Sequence, residues 1–119
     1  MSALVGIRGA VQVPEDSAEA IDAATRDLLA AMVERNGIDP GSAVAIWFTQ
    51  TPDLTAAYAA SAARNLGWRH VPLLGAQEAA IDGQLPRVVR ALLLAPRNAG
   101  AEVRHAYLGA AKSLREDLP

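Results

Sequence analysis

The chain has 119 residues, 51% of them hydrophobic and 20% charged, with no cysteine and a formal net charge of −2. That suffices for one domain with a real core and hardly for two, and it excludes disulfides, thiolate metal sites and thiol nucleophiles. Its longest apolar runs, about seven residues, fall far short of the ~20 a membrane-spanning helix needs.

Met1 to Gly6 has no basic region and no long apolar core, so it reads as the start of a strand rather than a signal peptide. A first strand is expected at 4–10, ended by Val13-Pro14-Glu15-Asp16. Asp16 with Glu19 forms an acidic variant of the capping box, and a helix runs from there to about Asn36. Ile21, Ala24, Leu28, Ala31 and Met32 make its apolar face. Asn36-Gly37 stops it. Residues 42–49 form a second strand, and Asp53 in the turn Thr51-Pro52-Asp53 caps the next segment. That segment, the alanine-rich stretch 54–66, gives short helical turns ended by Gly67. Residues 68–73, with Pro72, read as an edge strand. Residues 74–87 are irregular, with a turn at Asp82-Gly83. Residues 88–94 fit strand or helix by pattern and are taken as a strand because the run is short and opens with two valines; a last strand is expected at 103–108, and the tail 110–119 ends polar.

The long helix and four or five strands make one α+β domain over 1–119. One helix covers one face of such a sheet, and the other face is apolar too, so it is expected to meet another subunit.

Charge is unevenly placed. Residues 1–39 hold seven acids and three arginines, whereas residues 54–115 hold three acids and eight bases. A basic region on an acidic chain suits a small anionic ligand better than nucleic acid, which calls for more aromatic platforms than one Phe, two Tyr and two Trp supply.

The chain shows no Ser-His-Asp spacing, no phosphate loop and no His/Asp/Glu metal cluster. Gly6-Ile7-Arg8-Gly9 lacks the full dinucleotide glycine pattern. His70 and His105 are isolated and read as structural or surface residues. Two charges stand where apolar residues are expected: Arg90 within 88–94 and Glu78 within 73–81. Such charges are paired, led to water or held against a polar ligand. Singly, each candidate has a structural reading at least as good: Arg90 and Glu78 as a salt bridge, Arg8 as a surface residue, Arg64 at a helix end, Tyr107 in the core, Arg115 in a solvated tail.

Together, Gly6-Ile7-Arg8-Gly9-Ala10, Thr51-Pro52-Asp53-Leu54, Trp68 to Pro72, Gln77-Glu78, Arg90 and Arg104-His105-Ala106-Tyr107-Leu108 stand in the order and spacing of a known family. The chain resembles the small trimeric chorismate mutases of the α/β type, from about residue 4 to Leu118. The resemblance implies a mixed β-sheet with one long helix on one face, assembling as a trimeric pseudo-α/β barrel. It implies a cytoplasmic isomerase of the shikimate pathway that converts chorismate to prephenate for phenylalanine and tyrosine synthesis, with no cofactor and no metal. Its partners are the substrate and two further copies of the chain, with neither nucleic acid nor membrane.

The same resemblance assigns roles by position. Arg90 faces the ether oxygen and a carboxylate, and Glu78 accepts from the ring hydroxyl. Arg8 and Tyr107 hold the side-chain carboxylate. Leu74, Gly75, Ala76 and Gln77 line the pocket, Tyr58 and Leu114 form apolar walls, and Arg64 and Arg115 lie at the mouth. Three positions depart from the family pattern: Ser61 where lysine is common, Gly75 for a larger side chain, and Tyr58 for phenylalanine. Two other readings remain, a trimeric enamine/imine deaminase and a non-catalytic binder of a small dianion.

Overall fold

Five strands and two α-helices appear in the computed structural model, which describes residues 2–98 and 100–115. In chain order they are β1 (Ser2–Gln12), α1 (Ala18–Asn36), β2 (Ala45–Gln50), α2 (Ala59–Asn65), β3 (Leu73–Gln77), β4 (Val88–Asn98) and β5 (Ala106–Leu108). Short 3₁₀ turns occupy Pro40–Ser42 and Gly109–Arg115. The sheet order is β3-β2-β4-β1-β5. The β1–β4 and β2–β4 pairs are antiparallel, and both edge strands join in parallel, so the sheet is mixed.

Alternation along the strands builds the core on one face. Ile7 and Val11 of β1, Ile46 and Phe48 of β2, and Val89, Ala91, Leu93 and Ala95 of β4 are buried under α1. From α1 come Ile21, Ala24, Leu28, Leu29 and Met32. Gly9 lets this layer close up, since a Cβ there would lie 2.8 Å from Leu28 Cδ1 and 2.9 Å from the Ala106 carbonyl oxygen. Because successive strand residues point to opposite faces, Arg90 and Arg8 stand on the second face, away from α1. Arg90 is therefore not driven into the core.

Several expected boundaries shift. Ser17, not Asp16, caps α1, its Oγ accepting from the Ala20 N–H at 3.1 Å. The Asp16 carboxylate instead accepts from Thr55 Oγ1 at 2.7 Å and from the Thr55 and Ala56 N–H groups. The Thr55 hydroxyl and the Ala56 N–H hold its pKa below the usual value. Gly37 ends α1 in the left-handed region at φ 58°, as expected of a C-terminal stop. The first turn of α2 is capped by Gln50, whose Oε1 accepts from Ala59 N–H at 3.0 Å. Asp53 does not cap that helix. It accepts from Thr51 Oγ1 and from the Arg87 N–H. Arg87 is the only described non-glycine residue with positive φ, 51°. The Asp53 carboxylate holds that strained entry to β4 in place.

Residues 68–73 do not form the expected strand, and β3 begins where that span ends. The Trp68 N–H goes back to the Ala63 carbonyl, while buried Trp68 and Val71 anchor the segment to the core. Pro72 offers only its carbonyl, which accepts from Ile46 N–H at 3.0 Å. Leu73–Gln77 lacks β-branched residues and becomes a strand by pairing with β2, a tertiary effect that outweighs propensity. The last strand is shorter than expected because Asn36 takes the preceding backbone. Its Nδ2 donates to the Arg104 carbonyl at 2.7 Å and its Oδ1 accepts from the Arg104 N–H at 2.8 Å. The tail expected to end polar begins with a packed turn: Ala111 packs with Ala10 and Val88 against Leu85, Tyr107 and Leu114 on the second face. Residues 116–119 lie outside the described residues.

Candidate active site

The second face carries two adjacent cross-strand rows. In one, Leu74, Trp47, Leu92 and Arg8 stand side by side across β3, β2, β4 and β1. In the next, Ala76, Thr49, Arg90, Ala10 and Tyr107 cross all five strands. Arg8 pairs with Leu92, so Arg90, two residues earlier in β4, is its diagonal neighbour, at about 7–8 Å. Tyr107 is similarly diagonal to Arg8 from the other side.

Glu78 comes directly after β3, its N–H bonded to the Gln50 carbonyl at 2.9 Å. That hold turns the side chain toward the same row. Its Oε2 lies 3.1 Å from Arg90 Nε. The contact is an ion pair without an aligned hydrogen bond, because the Nε–H points past the carboxylate. The Arg90 side chain stays 43% exposed, although its Nε is itself buried. Thr49 Oγ1 donates to the same Glu78 Oε2 at 2.6 Å. Arg8, Glu78, Arg90 and Tyr107 thus share one patch of the second face. Arg115 belongs to its neighbourhood: His105 has its pKa lowered by burial first, then by the charges of Arg8 and Arg115. His105 Nδ1 accepts from the Arg8 N–H at 2.9 Å, so the neutral ring carries its proton on Nε2. Leu114, like Tyr107, packs against the cluster of Ala10, Val88 and Ala111.

The remaining expected residues lie elsewhere in the same chain. Tyr58, Gly75, Ala76 and Gln77 line a cleft of about 480 Å³ between the outer edge of β3 and the segment leading into α2. Gln50 fastens that segment, donating to the Leu54 and Ala57 carbonyls, each at 3.0 Å. Tyr58 is 77% exposed and projects away from the fold. Arg64 lies in a different depression, with Arg69 and Val71. Ser61 lines a third, beside Tyr58 and Asp22. A single chain therefore gathers the charged cluster and an adjoining wall, connected through the run Gly75 to Glu78 and through Gln50.

The chemistry within reach is recognition of a small anion bearing a hydroxyl. Arg8 and Arg90 supply fixed forked cations, Tyr107 a phenol, and Glu78 an acceptor. Among the described residues, no group of three or more His, Cys, Asp or Glu side chains is placed to hold a metal ion. No described helix is long and apolar enough to cross a membrane.

Residues 4–118 match the family model for type I chorismate mutase. The chain belongs to the type I chorismate mutase family. Relatives in this family include the chorismate mutase AroH of Thermus thermophilus, 50% identical over 115 residues, covering 95% of this chain and 94% of that one. The AroH enzyme of Bacillus subtilis (strain 168) is 36% identical, covering 95% and 91%. A solved chorismate mutase from Clostridium thermocellum superposes with a TM-score of 0.85 at 37% identity, covering 92% of this chain and 98% of that one. The mixed α+β fold expected of a chorismate mutase is thus the one observed.

Two residues beside this cluster escape a reading of the sequence alone. Thr49 looks like an ordinary strand threonine, and only the pairing of β2 with β3 sets it beside Glu78. Gln50 looks like a strand end, yet it caps α2 and holds the wall of the cleft. A polar pair closing an apolar strand, Thr49-Gln50, is the only signal the sequence offers.

Proposed function

We propose that this chorismate mutase rearranges chorismate to prephenate at the second-face cluster, in a homotrimer whose neighbouring chains complete each site. The carrying observation is the Glu78–Arg90 pair. It keeps one carboxylate oxygen and both terminal guanidinium nitrogens without a described partner, beside Arg8 and Tyr107.

The reaction is a one-step [3,3] rearrangement, in which an ether C–O bond breaks as a C–C bond forms. No proton moves and no covalent intermediate forms, so the protein needs neither nucleophile nor base. Two requirements remain. The dianion must be held in its compact reactive shape, and charge growing on the ether oxygen must be met by a preorganised donor. Arg90 serves the ether oxygen and a carboxylate, Arg8 and Tyr107 hold the side-chain carboxylate, and Glu78 accepts from the ring hydroxyl. Backbone from Leu74 to Gln77 lines the pocket. Tyr58 and Leu114 wall it, and Arg64 and Arg115 stand at its mouth.

The separation of the two half-sites supports assembly. Within one chain Tyr58 and Arg64 do not share the cluster's face, whereas chains packed through that face bring one subunit's cleft wall to another's arginines. Leu4, Trp47, Leu74 and Leu92 on the second face are 59%, 40%, 62% and 39% exposed, an apolar surface that calls for a cover. On this reading residues 1–119 act as one domain in the cytoplasm, without cofactor.

The test is to mix purified protein with chorismate and follow its ultraviolet absorbance. Chorismate should disappear as prephenate accumulates. Unchanged chorismate overturns the proposal, and turnover of an imine substrate in its place points to a deaminase.

A further inference from the structure

We infer that Thr49 is a positioning residue for the rearrangement, its hydroxyl fixing the orientation of the Glu78 carboxylate that meets the substrate. The inference rests on the roles just proposed for Glu78 and Arg90.

Thr49 stands opposite Arg90 and beside Ala76, between the strand that carries the cation and the strand that delivers the carboxylate. Its hydroxyl donates to Glu78 Oε2 at 2.6 Å, within the roughly 2.5–2.7 Å range of charge-assisted O–H···O⁻ bonds. The same oxygen is 3.1 Å from Arg90 Nε. Oε2 therefore has two neighbours, while Oε1 has no described hydrogen-bond partner.

A glutamate's terminal torsion is broad, so its carboxylate plane swings freely when nothing holds it. Here the backbone of Glu78 is already held by the Gln50 carbonyl, and the terminal torsion is the freedom that matters. The Thr49 hydroxyl on one oxygen fixes that plane and leaves the other oxygen as the acceptor. It has a second effect. A carboxylate left beside an arginine tends toward the paired, two-bond geometry of the guanidinium fork. By holding Oε2 at the Nε side, Thr49 keeps Glu78 off the outer end of that fork, where Nη1 and Nη2 have no described partner. The two substrate-facing groups are thus kept apart although they carry opposite charges.

The experiment compares Thr49→Val, which keeps the branched shape without the hydroxyl, with Thr49→Ser, which keeps the hydroxyl. Each is measured for kcat and KM on chorismate, with thermal melts, in the wild-type and Glu78→Ala backgrounds. Loss of orientation predicts that Thr49→Val lowers kcat/KM by about 10–100-fold, with kcat falling. Thr49→Ser recovers most of that loss. In the Glu78→Ala background Thr49→Val has no further effect, a result that a packing role does not produce. If Thr49→Val does not fold, Thr49→Ala against Thr49→Ser makes the same comparison. A Thr49→Val enzyme as fast as wild type overturns the inference, as does an equal loss with and without Glu78. Wild-type protein that leaves chorismate unchanged overturns the proposed function, and this inference with it.

Discussion

Gly9→Ala tests how the core fixes the site. A Cβ at this position would meet Leu28 Cδ1 at 2.8 Å, the Ala106 carbonyl oxygen at 2.9 Å and Met32 Sδ at 2.9 Å. Carbon contacts in proteins are comfortable near 3.5–4.0 Å, so each neighbour must yield by more than half an ångström. Leu28 and Met32 can rotate their ends, at about 0.5–1.5 kcal/mol each for leaving a rotamer. The Ala106 oxygen belongs to the β1–β5 pairing and moves only with the strand. The cost is about 1–3 kcal/mol, as for other overpacked cores. For a chain of this size that is a fall in Tm of roughly 5–15 °C, read at matched protein concentration because assembly raises Tm. Displacing Ala106 also displaces Tyr107, so activity should fall with stability. Gly75→Ala is the control. Its added carbon meets only the Phe48 carbonyl oxygen, at 4.0 Å, and it should melt close to wild type. If Gly9→Ala melts with wild type, or Gly75→Ala loses as much, the account of the β1–β5–α1 junction is wrong.

Arg90→Lys keeps the charge and loses the fork. It should lower kcat by about 10²–10³-fold, or about 3–4 kcal/mol, with an unchanged melt because the side chain is half exposed; a wild-type rate refutes the assigned role. Stability should fall as pH drops from about 7 to 5, because His105 has a folded pKa below its unfolded ~6.5. The unfolded chain binds the proton first, so the contribution is full above the unfolded value and lost as pH falls toward the folded one. Protonation also ends the Arg8 N–H to Nδ1 bond, and His105→Gln should remove this part of the pH dependence of Tm. Leu92→Asp should dissociate the proposed trimer in sedimentation experiments, by more than the about 1.5–3 kcal/mol that burying a leucine supplies; a fully active wild-type monomer refutes the assembly.

The sequence makes the long helix, β2 and the Gly37 stop legible, because period and terminators agree there; the run 88–94 fits strand or helix by pattern, and only its shortness and two leading valines favour the strand. It also makes Arg90 and Glu78 conspicuous as charges among apolar neighbours. What it hides depends on contacts distant in the chain. Asn36 replaces strand hydrogen bonds at Arg104, and nothing near residue 104 announces this. Leu73–Gln77 has the composition of a loop and becomes a strand through β2. A reading that ends the strand at Leu73 leaves Glu78 in an irregular segment, and its bond to Thr49 is then out of sight. The faces are simpler: once β1 and β4 are strands, parity alone separates Arg8 and Arg90 from Ile7, Ala91 and the core.

That parity links assembly to catalysis. The row Leu74, Trp47, Leu92 ends in Arg8, and the next row holds Arg90, so the apolar surface and the cationic patch are contiguous. A charge pair 4 Å apart is worth about 1 kcal/mol in bulk water and about 4 kcal/mol at an effective dielectric of about 20, so its value rises as water is excluded. An exposed Arg90 is a weak stabiliser of growing negative charge. A subunit that covers the leucines and the tryptophan also removes water from the arginines, and so raises the value of the donor already in place. On the proposed assembly, specific activity should therefore fall on dilution below the trimer's dissociation range, and Leu92→Asp should lose rate although it leaves Arg8, Glu78, Arg90 and Tyr107 intact. A variant that sediments as a monomer yet turns over chorismate at the wild-type rate would separate the two, and would return the whole site to a single chain.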